Sequence, residues 1–352
     1  MSRFYSSKYA KLTPYTPGEQ PKVLNVTKLN TNECPFPPSE KAKAYALANT
    51  RPLNLYPELQ CIELRTKLAE MHGVRPENIV LGNGSDELLD FAFMAFCDEK
   101  TPAAFADITY GFYPVFADLN FVPYTEIPLK ADFSIDPADY YGIGKTIFLA
   151  NPNAPTGMAL SPAQIEGILK ANPDNVVVVD EAYVDFGGES CIPLILKYDN
   201  LLVIQTFSKS RSMAGARLGF AAGDEALIRD LNTMKFSVNP YNVNSMTMAM
   251  GMGVLLDEEA TQANCRTIME NRAYTAAELE KLGFRVLPSC ANFIFAVTDR
   301  IDGGELYRKL KERGVLIRHF DKPAISAFNR ITIGTREQMD ILLTNIRDIL
   351  EV

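Results

Sequence analysis

The chain of 352 residues has no tryptophan and only two histidines, His72 and His319. Two histidines so far apart leave little from which to build a histidine-based metal centre, and no metal is expected. The six cysteines, Cys34, Cys61, Cys97, Cys191, Cys265 and Cys290, form no Cys-x-x-Cys pair. That argues against a disulfide framework, and reduced thiols in a cytoplasmic protein are expected. No apolar run approaches the ~20 residues that cross a bilayer, so no membrane partner is expected. The stretch from Met1 to Leu12 lacks the apolar core of a signal peptide, although its basic, serine-rich character leaves an organellar presequence open. Positive charge is also short. Lys and Arg number 35 against 43 Asp and Glu, a net charge of −8, which is a poor balance for gripping a nucleic-acid backbone.

What is present is an ordinary globular composition, 47% hydrophobic and 22% charged, in a chain long enough for two domains. Pro14, Pro17, Pro21 and Pro35 break up the first segment, which predicts an irregular arm over 1–35. Tyr15 and Asn32 of that arm either pack or reach a pocket. Beyond it, apolar runs at 78–81, 102–106, 122–127, 146–150, 176–179, 201–205 and 218–222 alternate with helical stretches. Runs that are apolar throughout predict strands buried on both faces. The expected fold is therefore α/β, with a mostly parallel seven-stranded sheet covered by helices. Shorter runs at 284–287, 292–296, 315–318 and 330–333 predict a smaller α/β domain. The expected division is the arm (1–35), a large domain (36–245) and a small C-terminal domain (246–352).

In open α/β sheets ligands bind at the carboxyl ends of the strands, and the distinctive polar segments fall there. Lys209 follows the 201–205 run, with Ser208 beside it and Arg217 beyond. A partly desolvated amine there serves as a nucleophile; the bland alternative is a solvated lysine. Gly82-Asn-Gly-Ser-Asp-Glu87 joins a strand to a helix, which either only caps that helix or offers its free N–H groups to a phosphate. It is not the dinucleotide fingerprint, because Glu87 stands where the third glycine would be. Asp180 ends a run of valines, where a lone charge is expensive and a cationic partner is expected; a helix cap or an arginine partner would also satisfy it. Tyr183 and Tyr110 add a hydroxyl and a flat face. Together these groups suit pyridoxal 5'-phosphate: a lysine for its aldehyde, a carboxylate for its pyridine nitrogen, and a cup for its phosphate.

The segments Leu29–Glu33, Tyr56-Pro57-Glu58, Gly82–Glu87, Thr109–Tyr113, Asn151–Gly157, Asp180–Tyr183, Ser208-Lys209 with Arg217, Asn292-Phe293 and Arg330–Gly334 resemble those of the pyridoxal-phosphate-dependent aminotransferases of fold type I. Among these, the resemblance is to the histidinol-phosphate aminotransferase family. It implies that Lys209 bonds the cofactor and moves the reacting proton, that Asp180 pairs with the ring nitrogen, that Tyr183 holds the ring hydroxyl and that Tyr110 stacks on the ring. It further implies that Gly84, Ser85, Asp86, Ser208 and Arg217 form the phosphate cup, completed by Tyr56 from the other subunit of a homodimer. Arg330 would bind the carboxylate of glutamate or 2-oxoglutarate, and Tyr15, Asn32 and Arg318 would contact substrate, Tyr15 and Arg318 at the phosphate of histidinol phosphate. The sequence departs from the family at one point: Ala154 stands where an asparagine usually precedes Pro-Thr-Gly, so Asn153 is expected to reach the ring hydroxyl in its place. An aromatic amino-acid aminotransferase and a threonine-phosphate decarboxylase are the alternatives on the same scaffold. A non-catalytic regulator is a further one, but the first 35 residues are too short and irregular for a DNA-binding segment.

Overall fold

The computed structural model describes residues 2–20 and 26–351; Pro21 of the expected arm lies outside the described residues. After the short strand β1 (Thr27–Lys28) come β2 (Ile79–Gly82), β3 (Ala103–Ala106), β4 (Tyr124–Ile127), β5 (Thr146–Ala150), β6 (Val177–Asp180), β7 (Leu201–Thr206) and β8 (Gly219–Gly223). Among the described residues, β2 to β8 form one seven-stranded sheet in the order β2-β8-β7-β6-β5-β3-β4. Strands β4, β3, β5, β6 and β7 run parallel, and β8 runs antiparallel to both of its neighbours.

Six of the seven runs become strands buried on both faces of this sheet; the edge strand β4 is exposed from Tyr124 to Glu126, against the expectation of burial. Val177 and Val179 pack with Ile165 and Ile168 of the helix Pro162–Ala171 and with Leu64 and Leu68 of the helix Ile62–His72. Val178, Leu202 and Ile204 face the other way, onto the helices Ser85–Phe96 and Glu225–Val238. The strand period of two thus sorts alternate residues of one apolar run into two cores. Helix starts follow local chemistry. Ser161 and Gln164 form a reciprocal capping box before Pro162, and Ser39 Oγ accepts the Ala42 N–H.

The second sheet contains β9 (Arg285–Val286), β10 (Phe293–Val297), β12 (Arg318–His319) and β13 (Asn329–Thr332), antiparallel in the order β12-β13-β10-β9. Its core is closed by the helices Glu258–Lys281 and Arg336–Leu350. The intervening β11 (Val315–Leu316) pairs in parallel with β1 instead, so the arm is stitched to this second body. Asn32 N–H adds a bond to Thr332 Oγ1 at 3.0 Å.

Candidate active site

Two adjoining cavities open at the carboxyl ends of β3, β5, β6 and β7, and Tyr110, Ala154, Tyr183 and Lys209 line both. The inner cavity holds Ser85, Asp86, Asp180, Ser208 and Arg217. At one end stands Asp180, delivered by β6 into the buried core. Its Oδ1 accepts the Ala182 N–H at 3.2 Å and its Oδ2 the Tyr113 hydroxyl at 3.2 Å. Burial pushes its carboxyl up to about 7, against the pull of those two donors. A carboxylate held this far above its ordinary range is one that a cation would restore.

At the other end the helix Ser85–Phe96 points its N-terminus into the cavity. Gly84 precedes it with φ +80°, a conformation that favours glycine. A Cβ there would lie 2.6 Å from Arg217 Nη2. Gly219 of β8 presses as close, since its Cβ would meet Gly84 C and Ser85 N at 2.7 Å. These glycines let the guanidinium and the free helix N–H groups converge, with Ser85 and Ser208 beside them. Arg217 Nη1 lies 3.5 Å from Ser208 Oγ, and its Nη2 donates to Asp86 Oδ2 at 2.8 Å. Asp86 Oδ1 accepts the Tyr110 hydroxyl at 2.7 Å. The Asp86 side chain is therefore spent on aiming Arg217 and Tyr110, and only its backbone faces an anion.

Lys209 stands where the cavities meet. Its Nζ donates to Thr31 O at 3.3 Å and lies 5.7 Å over the Tyr183 ring. The Tyr183 hydroxyl accepts Asn32 Nδ2–H at 2.9 Å. Asn32 is itself anchored by Thr332 and Asn292, so it orients Tyr183 and lines the outer cavity.

The outer cavity brings in Tyr15, Arg318 and Arg330. The two arginines face each other across the β12–β13 pair. Arg330 Nη2 donates to Asn30 O at 3.1 Å, while its shielded Nε has no partner among the described residues. Its guanidinium lies 5.4 Å from the Phe293 ring and 5.7 Å from Phe320. Burial lowers its pKa from the ordinary arginine value. Among the described residues no carboxylate pairs with it, although a second guanidinium stands beside it. Tyr15 stacks on Phe112 at 4.3 Å. Burial raises the pKa of its hydroxyl, opposed by the charges of Arg330 and Arg318.

One residue expected within this chain's own site is not brought in. Asn153 lines neither cavity. Its Nδ2 donates to Ile108 O at 3.0 Å and Thr156 Oγ1 at 3.2 Å, and its Oδ1 accepts the Thr109 hydroxyl at 2.7 Å. With its hydrogen bonds satisfied inside the loop, Asn153 leaves the wall to Ala154, whose bond to Pro155 is cis. Tyr56 lines neither cavity of its own chain; it is 79% exposed and stacks on Tyr241 at 4.2 Å. Conversely, Tyr113 escaped the sequence reading, because a tyrosine in an apolar helix looks like core. Its spacing of three from Tyr110 was the available signal.

The donor set fits a phosphate at one end, a protonated ring nitrogen at the other and an aldehyde at Lys209. The comparisons with known proteins agree. Residues 25–346 match the family model described as aminotransferase class I and II. A histidinol-phosphate aminotransferase from Brachyspira hyodysenteriae is 46% identical over the whole of both chains. One from Dechloromonas aromatica is 48% identical over 99% of each. The chain belongs to the class I and II aminotransferases, in the histidinol-phosphate aminotransferase family. Among solved structures, the histidinol-phosphate aminotransferase of Sinorhizobium meliloti in complex with pyridoxal-5'-phosphate superposes with a TM-score of 0.84, at 20% identity over 92% of this chain and 90% of that one. The L-threonine-O-3-phosphate decarboxylase of Porphyromonas gingivalis superposes nearly as well, with a TM-score of 0.80 at 21% identity over 92% and 99%. At such identities the likeness speaks for the aminotransferase fold alone.

Proposed function

We propose that this chain transfers the amino group of L-histidinol phosphate to 2-oxoglutarate, giving imidazole acetol phosphate and glutamate, with pyridoxal 5'-phosphate as its cofactor. The observation that carries the proposal is the pair Arg318 and Arg330, with no carboxylate partner for Arg330 among the described residues, facing a cavity that meets the proposed cofactor pocket at Lys209. Two cations there suit substrates that bring an anion to the reacting carbon, a carboxylate in one half-reaction and a phosphate in the other.

Gly84, Ser85, the Asp86 backbone, Ser208 and Arg217 would hold the cofactor phosphate. Tyr110 would cover the ring, Tyr183 would meet its hydroxyl, and Asp180 would keep a proton on its nitrogen. Bound this way, the cofactor supplies an electron sink for the charge left at the substrate Cα when its proton departs. Lys209 would bond the cofactor aldehyde, and its Nζ, placed where the two cavities meet, would serve as the base for the substrate Cα proton and as the acid that gives one back. Arg330 clamps the carboxylate of glutamate or 2-oxoglutarate. Tyr15 and Arg318 hold the phosphate of histidinol phosphate. The two substrates use one pocket in turn, so the kinetics are ping-pong. Exposed Tyr56 supports a homodimer in which it reaches the partner's phosphate cup, and the reading places the enzyme in the cytoplasm. For the domain division, we place the boundary after Leu255 rather than at 245, because Val254 and Leu255 pack in the core of the large sheet.

The test is a half-reaction. Cofactor-loaded protein receives L-histidinol phosphate without a keto acid while the visible cofactor absorbance is followed, with phenylalanine and threonine phosphate in parallel. Fast loss with histidinol phosphate, and much slower loss with phenylalanine, is expected. Preference for phenylalanine, or carbon dioxide from threonine phosphate, would replace the proposal with one of its two rivals.

A further inference from the structure

Lys209 sits on a tight turn. Ser212 N–H donates to Lys209 O at 3.3 Å and Met213 N–H to Phe207 O at 2.9 Å. The two residues that follow the lysine anchor this turn to a single oxygen. Ser210 Oγ–H donates to Asp185 Oδ2, and Arg211 Nη1–H donates to the same atom at 3.2 Å. Both anchors are buried, Ser210 at 3% exposure and Arg211 at 4%. Asp185 keeps about a third of its side chain in solvent, at 34%, and belongs to the turn Val184–Phe186 that directly follows Tyr183. One carboxylate oxygen thus ties the segment carrying Asp180 and Tyr183 to the segment carrying Lys209.

Packing alone does not account for this arrangement. The Arg211 guanidinium lies 5.1 Å from the Phe207 ring, and its Nε has no acceptor among the described residues. A buried cation with an unsatisfied donor is worth less to stability than an apolar side chain of similar volume. His72 and Glu258 also lie in the field of Arg211, but Ser210 takes its anchor from Asp185. Asp185 itself lines neither the inner nor the outer cavity, so any effect it has on the reaction passes through the turn.

We propose that Asp185 is a positioning residue: by holding Ser210 and Arg211 it fixes the direction from which the Lys209 amine meets the substrate Cα. This rests on the role given to Lys209 above.

The test uses full-length, cofactor-loaded protein and the variants Asp185→Asn, Asp185→Glu and Ser210→Ala. Three quantities are read: the single-turnover rate with saturating L-histidinol phosphate, the cofactor dissociation constant, and amide hydrogen exchange over 207–213. Asp185→Asn is expected to lower the single-turnover rate by about 10- to 100-fold, the scale of loss when a reacting group is misplaced by about 1 Å. Its cofactor affinity should stay near wild type, while the unfolding midpoint falls because buried Arg211 loses its anion. Faster exchange should be confined to 207–213. Asp185→Glu, which keeps the charge, should recover part of the rate, and Ser210→Ala should show a smaller loss of the same kind. Wild-type rates and exchange in both Asp185→Asn and Ser210→Ala would overturn the proposal. So would a fall in rate matched by an equal fall in cofactor affinity, which marks a merely structural contact. A wild type inert to every amino donor would defeat the functional reading instead, and hydrogen exchange in the loaded protein would then decide the clamp by itself.

Discussion

Replacing Arg330 with methionine is expected to move substrate use and fold stability in opposite directions. Among the described residues its guanidinium has one carbonyl acceptor, Asn30 O at 3.1 Å, a shielded Nε without a partner, and Arg318 as its cross-strand neighbour. Withdrawing a charge from water costs several kcal/mol. Against this, a charged hydrogen bond returns ~1.5–3 kcal/mol and the faces of Phe293 and Phe320 ~0.5–2 kcal/mol each. The balance is close to zero or unfavourable, and methionine fills most of the volume without the charge. The unfolding midpoint of the ligand-free variant should therefore hold or rise, by about 2 °C per kcal/mol in a large chain. A carboxylate substrate, however, loses two charge-assisted hydrogen bonds of ~1.5–3 kcal/mol each. At ~1.36 kcal/mol per decade, kcat/KM for 2-oxoglutarate should fall by roughly 10²- to 10⁴-fold. Initial rates against keto-acid concentration, calorimetry of the ligand-free protein and a cofactor titration measure the three quantities. A large drop in midpoint, with cofactor affinity lost by the same factor as 2-oxoglutarate, would make Arg330 a structural residue and refute the reasoning.

Lys209→Ala should fold and still bind pyridoxal phosphate, but borohydride should no longer fix the cofactor to the protein and turnover should vanish; normal turnover would end the assignment. Gly84→Ala forces a side chain into φ +80° and to 2.6 Å from Arg217 Nη2. With a strain of ~1–3 kcal/mol before Arg217 shifts, cofactor affinity should fall by about tenfold or more, and an unchanged fluorescence titration would contradict the phosphate cup. Asp180→Asn has a pH signature in the cofactor-free protein. The folded-state value of about 7 against an ordinary 3.8 means that between those pH values the folded state holds a proton that the unfolded state has released, so stability is lost as pH rises through that window and levels off above about 7. The shift corresponds to roughly 4 kcal/mol. Urea midpoints should therefore show the asparagine variant gaining on wild type at pH 8 and far less at pH 5, while Glu181, also pushed up to about 7 by burial, titrates in both proteins; an equal difference at both pH values would count against the buried carboxylate.

Most of the large sheet was legible because six of its strands are covered on both sides; the exposed edge strand β4 is the exception. A strand such as β7, apolar from Leu201 to Ile204, declares itself by a run that no surface element would carry, and all seven expected runs became its seven strands. The second body was legible in kind but not in pairing. The run at 315–318 reads as one strand, yet Val315–Leu316 joins the arm while Arg318–His319 joins β13. Strand β1 has two residues, too few to express any period. Asn153 was misjudged for a related reason. Nothing local says that Thr109 and Ile108, more than forty positions away, will consume its amide.

The site divides along the same line. Residues proposed to hold the cofactor lie at strand ends of the large sheet, where backbone position alone places them, so Lys209, Asp180 and Tyr183 stand out in the sequence. Residues that orient them, Tyr113 on Asp180 and Asp185 on the turn after Lys209, act through bonds spanning 67 and about 25 positions, and their sequence context is that of ordinary core or turn. The cations proposed to read substrate come from neither group: Arg318 and Arg330 occupy one register position of the small antiparallel sheet, and Tyr15 comes from the arm. On the proposed reading, the cofactor would be held from the large sheet and the substrate anions from the small antiparallel sheet and the arm. Substitutions on β12 and β13 can then change which anion is accepted without disturbing the phosphate cup, whereas a change at Gly84 or Arg217 lowers cofactor affinity and so weakens the use of every substrate together.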